Sequence, residues 1–476
     1  WSNIAGQISL DMSGGLIQGN TAANKGNGIC FFSLGAGDNR LKMKMSGTAK
    51  VDVNNDVYLH SVNTITVDDS SFTPQGGGKA ATITPEIYRK TTQVLSGTAL
   101  GTEHGKFEVT PDVSGNFWAV TEVGKLARFV DGSKSLAWKN LKDVVSAVQD
   151  GDTIIIANTI KATDESGNSN KGEIRINKNL TIQGNTGKAS DILDADGKNR
   201  IFSVASGKKL TLKNLTLENG YGDYGGGIRA DSNCTLTMMG CILKSNRVES
   251  AAIGGGIYAN DTTITMKDCT LTGNVAYESN GTASGGVIYA DGNKTVTIEN
   301  CTFTGNEGRF GGCICAANST VRIEGGSIGG TDAGKANNAT DSGGSGVGGG
   351  LYIHENTTLT LKNCTVTGNT AQEKGGSIYV KGYNAKLIME GSAIITPAAD
   401  KNDVYLDNNN MITVDDALTE TTPVARITVP DDKYLPSTKV LAGSAASTEY
   451  SKFTVTPQST PPTIWSVGSD GKLKTQ

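Results

Sequence analysis

The sequence predicts an all-β solenoid, a right-handed parallel β-helix, and three observations carry that prediction. Paired glycines ahead of an apolar strand start recur at Gly226-Gly227, Gly255-Gly256, Gly285-Gly286, Gly311-Gly312, Gly349-Gly350 and Gly375-Gly376, spaced by 29, 30, 26, 38 and 26 residues. Each pair is followed by an alternating segment: TLTMMGC, TITMKDC, TVTIENC, TVRIEGG, TLTLKNC and KLIMEGS. Four units then close on an asparagine, at Asn246, Asn274, Asn306 and Asn369.

Alternation of period two excludes helical repeats, whose apolar residues return every three or four positions. Threonine and the β-branched residues are also poor helix formers. A propeller blade needs about 40 residues, whereas a unit of about 28 with three short strands is one coil of a β-helix. Successive coils pair at ~4.8 Å, so like positions stack directly on one another. Glycine supplies the corners, and asparagine tolerates the left-handed conformation while forming amide ladders. The 38-residue interval holds GGTDAGKANNATDSGGSGVG, expected as a single protruding loop. Weaker copies occur earlier, at NLTIQGN and KKLTLKNLTLENG, where Leu215 takes the cysteine position.

Composition agrees. Gly is 62 of 476 residues, aromatics are 6%, and Pro is only 10. Average glycine usage is about 7%, so many short strands joined by Gly and Asn turns are indicated. Hydrophobics at 37% allow a narrow core. The formal charge of -4 and the absence of basic runs or aromatic RNP-like clusters speak against nucleic acid as a partner. No apolar run approaches the roughly 20 residues of a membrane span. The opening WSNIAGQISLDMSGG has no basic or apolar signal region.

The Gly-Gly-x-Ile element GGGI at 254–257, with Phe-x-x-Asn as FTGN at 303–306 and the near copies LTGN and VTGN, resembles a known pair of motifs. It is similar to the repeats of polymorphic outer membrane proteins, adhesin-like bacterial proteins within the pectate-lyase-like β-helix superfamily. The likeness covers about residues 174–396. It implies a bacterial protein that is secreted or displayed at the cell surface, with a host or matrix protein or a glycan as partner. The membrane barrel of that family has no counterpart in this chain.

A second repeat is larger. NDVYLHSVNTITVDD at 55–69 returns as NDVYLDNNNMITVDD at 402–416, KFEVTP at 106–111 as KFTVTP at 452–457, and Trp118 as Trp465. The offset of 346–347 defines a module. Residues 1–128 read as the end of a preceding module, a last coil plus a β cap unit. Residues 129–401 read as a capping helix and a β-helix, and 402–476 as a β cap unit homologous to 54–128. The chain is expected to be part of a longer tandem polypeptide, with signal and anchor elsewhere.

Between modules ARFVDGSKS reads as a polar linker. Leu141, Val144, Val145 and Val148 then have the spacing of an amphipathic helix, capped by Ser135 and ended at Asp150-Gly151. This helix is expected to cover the open first coil, whose edge would otherwise invite strand addition. TIIIA at 153–157 is the first buried strand. The segments ARITV, TKVL, KFTVTP and IWSVGSDGKL read as a small β unit closing the other end. A carbohydrate-binding platform of Trp465, Tyr434 and Tyr450 is the alternative for this unit.

Searching for chemistry returns little. Cys241, Cys269, Cys301 and Cys364 each precede the coil's asparagine position by five residues, so they stack as buried filler rather than converge as metal ligands. An inter-coil disulfide is disfavoured, because in-register Cβ atoms lie wider apart than the ~3.8 Å a disulfide takes. His60, His104 and His354 lie in three separate regions. Asp268, Glu299, Glu324 and Glu390 form one acidic position per coil on a solvated face. Asp68-Asp69 and Asp415-Asp416 are sequential and so point apart. GGSGVGGG at 343–350 lacks the Lys and helix of a phosphate loop.

No catalytic, cofactor-binding or metal-ligating residue is therefore assigned. The expected function is that of a non-catalytic surface or secreted adhesin-like protein, with loops 158–173, 275–284 and 329–348 projecting from one side. The alternative is a lyase or glycoside hydrolase acting on acidic polysaccharide.

Overall fold

A computed structural model describes residues 8–23, 25–31, 41–60, 62–164, 169–277, 284–292, 294–396, 403–420, 423–459 and 462–475, without the side chains of 250–252. The fold is a parallel β-solenoid, only 6% helical, with about 14 turns in all. Its described residues fall into two compact units. One comprises 1–131, 146–157 and 181–186, the other 132–145, 158–180 and 187–476.

In the larger unit each regular coil contributes to four ladders, one more than the alternation predicts. The first runs from Lys209–Lys213 to Leu441–Ala442, and the second is nine-stranded, from Thr159–Lys161 to Ile394–Ile395. The third is six-stranded, from Tyr221–Tyr224 to Thr370–Ala371, and the fourth 13-stranded, from Ile174–Ile176 to Leu473–Thr475. Alternation sorts the side chains of the first ladder. Leu210, Leu236, Ile264, Val296, Val321, Leu359 and Leu387 are in register and at most 1% exposed. Burying one such side chain stabilises by about 1.5–3 kcal/mol, and a one-residue slip would turn the whole column to solvent.

Glycines fix the corner ahead of the fourth ladder, one position earlier than expected in the triple-glycine copies. Positive φ falls on Gly225, Gly254, Gly285, Gly311, Gly348 and Gly375, at 63–75°. The following glycine is needed for a different reason. A Cβ on Gly286 would lie 2.1 Å from the Gly312 carbonyl oxygen, and one on Gly312 2.3 Å from that of Gly349. Here the backbones of stacked coils touch, and no side chain fits.

The 329–348 insert is not one protruding loop. Asn337 is fully buried, and Asn338–Ala339 is a strand of the third ladder, paired with Glu307–Gly308 and Thr370–Ala371. The other two expected loops also contribute strands, Thr159–Lys161 and Val275–Ala276. Residues 165–168 and 278–283 of those loops lie outside the described residues.

The amphipathic helix forms over Ala137–Ala147 and buries Trp138, Leu141 and Val145. Its N-terminus departs from expectation. Leu136, at φ 56°, separates Ser135 from the first helical residue, and the Lys139 N–H is met instead by Asn170 Oδ1 at 3.0 Å. Trp138 Nε1 donates to the Gly172 carbonyl at 2.8 Å, so the helix is pinned to the 170–172 segment.

The smaller unit is built in the same manner. Ile8–Met12 pairs in parallel with Leu41–Met45, and Ile29–Phe31 with Asp56–Leu59, around a core that includes Met43, Met45, Ile65 and Phe72. The expected polar linker is a correction: Leu126–Asp131 is a strand, antiparallel to Trp118–Val120 and parallel to Asp152–Ala157. Alternating Leu126, Arg128 and Val130 allow this, and the polar run that resembles a linker starts only at Gly132.

The two segments that repeat at 346–347 residues share most of their elements, although the 3-10 turn Asp431–Lys433 occurs only in the second. Short helices Leu100–Glu103 and Ala446–Glu449 precede strands Phe107–Val109 and Phe453–Val455. Each holds a buried glutamate, Glu103 or Glu449, against Lys106 or Lys452, which also donates to the Phe72 or Leu418 carbonyl. The expected small β unit at 402–476 is mostly further coil. Val404–Leu406, Ala425–Thr428 and Phe453–Val455 pair in parallel, and antiparallel pairing begins where Trp465–Val467 meets Phe453–Val455 and continues into Leu473–Thr475.

Candidate functional site

Four columns of polar or reactive side chains run along the larger unit, and their geometry separates scaffold from site. The cysteine column is as expected. Cys241, Cys269, Cys301 and Cys364 stack with Leu215, Gly326 and Ala393, and each of these cysteines is at most 2% exposed. All eight cysteines are free thiols, and Cys30 alone is exposed. Burial pushes the Cys364 and Cys315 thiols up to about 12, which leaves them protonated and poorly nucleophilic.

The asparagine column is a continuous buried ladder through Asn246, Asn274, Asn306, Asn337 and Asn369. Each side-chain amide also donates to a carbonyl one coil back, for example Asn306 to Leu271 at 3.0 Å. These amides are fully spent on the backbone and on one another.

The charged column needs one correction. Lys267, Glu299, Glu324, Lys362 and Glu390 are in register. Asp268 is not among them: at φ 53° it occupies the left-handed corner with Asn214, Asn300 and Asn363. The carboxylates are matched to cations, Glu299 to Lys267 at 3.5 Å, Glu324 to Lys362 at 3.2 Å, and Glu390 to Arg322 at 3.3 Å. Lys362 holds the Glu324 carboxyl below the ordinary range.

Elsewhere Ser71 and the Gly47 amide hold Asp69 at about 2, and Lys171 and Lys198 do the same for Asp164. Every clearly shifted carboxylate among the described residues lies below its usual value. Asp68 turns to Thr98 and Lys44 while its neighbour Asp69 turns to Ser71 and Gly47. The histidines stay apart: His60 meets Glu86, His104 the Leu100 carbonyl, and His354 the Tyr352 ring. Among the described residues no three His, Cys, Asp or Glu side chains are grouped as metal ligands.

The fourth column was not foreseen. Tyr258, Tyr289, Cys315, Tyr352, Tyr379 and Tyr405 are in register on the fourth ladder, pointing outward because Ile257 and Ala259, and their equivalents, point in. Rings of Tyr258 and Tyr289 stack at 5.7 Å, and Tyr352–Tyr379 and Tyr379–Tyr405 meet edge to face at 5.6 and 5.1 Å. Phe310, Val347 and Lys374 cover the column from the neighbouring corner. The signal in the sequence was a tyrosine four residues past the positive-φ glycine of a corner, in IYAN, IYAD, LYIH and IYVK, and again in VYLD.

At the end of that column the surface opens into a pocket of about 230 Å³ lined by Glu373, Lys374, Asp403, Tyr405, Arg426, Thr428 and Thr456. Asp403 Oδ1 accepts from the Gly376 N–H at 2.7 Å, Lys374 Nζ lies 5.3 Å from the Tyr405 ring centre, and the Thr428 and Thr456 hydroxyls are 2.6 Å apart. The smaller unit holds a second copy, of about 300 Å³, on Lys25, Asp56, Thr84 and Thr110. There Asp56 Oδ1 accepts from the Asn27 N–H at 2.7 Å, Lys25 donates to the Tyr58 hydroxyl at 3.0 Å, and Thr110 donates to Thr84 at 3.1 Å. GNTAANKGNGI at 19–29 and GNTAQEKGGSI at 368–378 supply the matching corners. Two charged lining residues have no charged counterpart: Thr82 stands where the other copy has Arg426, and in the sequence Asn24 stands where it has Glu373.

The alternative reading of an aromatic platform at Trp465, Tyr434 and Tyr450 fails. Trp465 and Tyr434 are 6% and 5% exposed and pack on each other at 6.0 Å, with the Tyr434 hydroxyl donating to the Thr456 carbonyl. Their faces are core, closed to a ligand, and Tyr450 lies in the separate turn Tyr450–Lys452.

The chain matches no family model, no curated protein and no solved structure.

Proposed function

We propose that this chain is a non-catalytic binding protein of the adhesin-like kind, secreted or displayed at a bacterial cell surface as tandem modules resembling polymorphic outer membrane protein repeats. The observation that carries the reading is the state of the outer wall. Its carboxylates are matched to Lys and Arg of the same or nearby coils, and the clearly shifted ones are held below their usual range. Sugar hydrolysis needs a carboxyl kept protonated near neutrality, with its pKa raised. A wall of paired, ionised groups suits presentation of a surface rather than proton transfer. The helix Ala137–Ala147, pinned to the 171–172 segment, in this reading shields the outer edge of Ile174–Ile176 from strand addition, whereas Asp152–Ala157 is already paired with Leu126–Asp131.

The experiment is to incubate the whole chain with acidic polysaccharides, neutral glycans and matrix proteins, following both retention and the appearance of new reducing or unsaturated ends. Saturable retention without new ends supports the proposal. Product that accumulates in proportion to time and protein concentration would transfer the chain to the polysaccharide lyases or glycoside hydrolases.

A further inference from the structure

We propose that the twin pockets are equivalent sugar sites, each taking one neutral pyranose ring of a glycan; this rests on the binding reading above. The first argument is repetition of geometry. Both pockets set a lysine against a tyrosine, a carboxylate locked onto a corner N–H, and two threonine hydroxyls within hydrogen-bond distance of each other. The locked carboxylate keeps lone pairs beyond the one the N–H uses, and each hydroxyl both donates and accepts. A ring of such mixed groups fits vicinal hydroxyls, which also donate and accept.

The second argument is charge. Lys374 and Arg426 face Glu373 and Asp403, and Lys25 faces Asp56, so each lining is formally neutral. Neither pocket favours an anion, and a neutral polyol is the ligand that uses donors and acceptors equally. The third argument is size. Volumes of about 230 and 300 Å³ lie below and at the lower end of the roughly 300–1,000 Å³ usual for drug-sized ligands, which limits each pocket to a ligand as small as one ring. In the smaller unit the pocket adjoins a cleft of about 720 Å³ that shares Lys25, Thr84 and Thr110. Its charges also balance, Lys25 and Arg89 against Glu86 and Asp112, so a longer neutral glycan can continue there.

The test uses the whole chain, titrated by saturation-transfer NMR and calorimetry with the methyl glycosides of glucose, galactose, mannose and N-acetylglucosamine. Galacturonic acid is the anionic control. At least one methyl glycoside is expected to bind saturably in the millimolar range with two sites per chain. Thr456→Val should remove one site, and Thr456→Val with Thr110→Val both, with a loss of at least tenfold. Lys374→Met with Lys25→Met, at side chains that reach solvent, should weaken both sites in a chain whose circular dichroism is unchanged.

The inference is overturned if no methyl glycoside binds at tens of millimolar, if galacturonic acid binds more tightly than the neutral sugars, or if the double variants bind like the parent. Retention of glycans by the whole chain with unaltered double variants would discard the pockets and leave the binding reading intact. No retention of any glycan or matrix protein would discard both.

Discussion

Asn274 Oδ1 accepts two hydrogen bonds from Asn246 on the coil before it, one from the backbone N–H at 3.1 Å and one from Nδ2 at 3.0 Å. The same bifurcated link repeats at Asn306, Asn337 and Asn369, so one buried amide per coil joins each turn to the next. Asn306→Ala removes an acceptor used twice and takes from the buried Asn274 backbone N–H the partner it has in the ladder. Leaving buried backbone groups unsatisfied costs about 1–3 kcal/mol each. The variant should lose on the order of 3 kcal/mol, seen as a lower urea midpoint at unchanged slope.

Gly286→Ala should be more damaging, because its Cβ would lie 2.1 Å from the Gly312 oxygen and 2.5 Å from that of Glu307, both backbone. The coil must unstack locally, and we expect more than about 4 kcal/mol or an insoluble product. Gly101→Ala is the matched control. Gly101 lies in a helix with nothing within 4 Å of the added methyl, and a gain of about 0.5–1 kcal/mol is expected.

Thiol labelling checks burial directly. Of the eight free cysteines only Cys30 is exposed. A disulfide reagent should modify one thiol per native chain within minutes and the other seven only in denaturant. Rapid native labelling of Cys269 or Cys301 would contradict the column.

The stability should fall in acid with a defined sign. Hydrogen bonds from Ser71 and the Gly47 amide hold the folded Asp69 carboxyl at about 2, below its unfolded value of about 3.8. Its contribution is fully present above the unfolded pKa and is lost as the pH falls from about 4 toward 2. Asp69→Asn should flatten that part of the pH–stability curve and leave the curve near pH 7 parallel to that of the parent.

How much of this was legible follows strand length and frame. Five-residue alternating segments such as Thr263–Lys267 announce themselves, and with them the solenoid, the cysteine filler and most of the amide ladder. The third ladder stayed hidden because strands such as Val275–Ala276 and Glu307–Gly308 are too short to alternate. Asn337 was missed because the insert displaces it from the spacing that marks its four partners. Triple glycines left the corner frame ambiguous by one residue, and the tyrosine column needed that frame to be seen as a column. The twin pockets lie beyond sequence reading, since Lys374, Asp403 and Thr456 come from three coils and meet only through register.

The most direct measurement of the central claim, binding without turnover, is the chain-length profile of a defined oligosaccharide after long incubation with stoichiometric protein. The account predicts that the oligosaccharide is retained on immobilised protein while its mass spectrum stays unchanged. Shortened or unsaturated chains in that spectrum, abolished by heat-denaturing the protein, would contradict it.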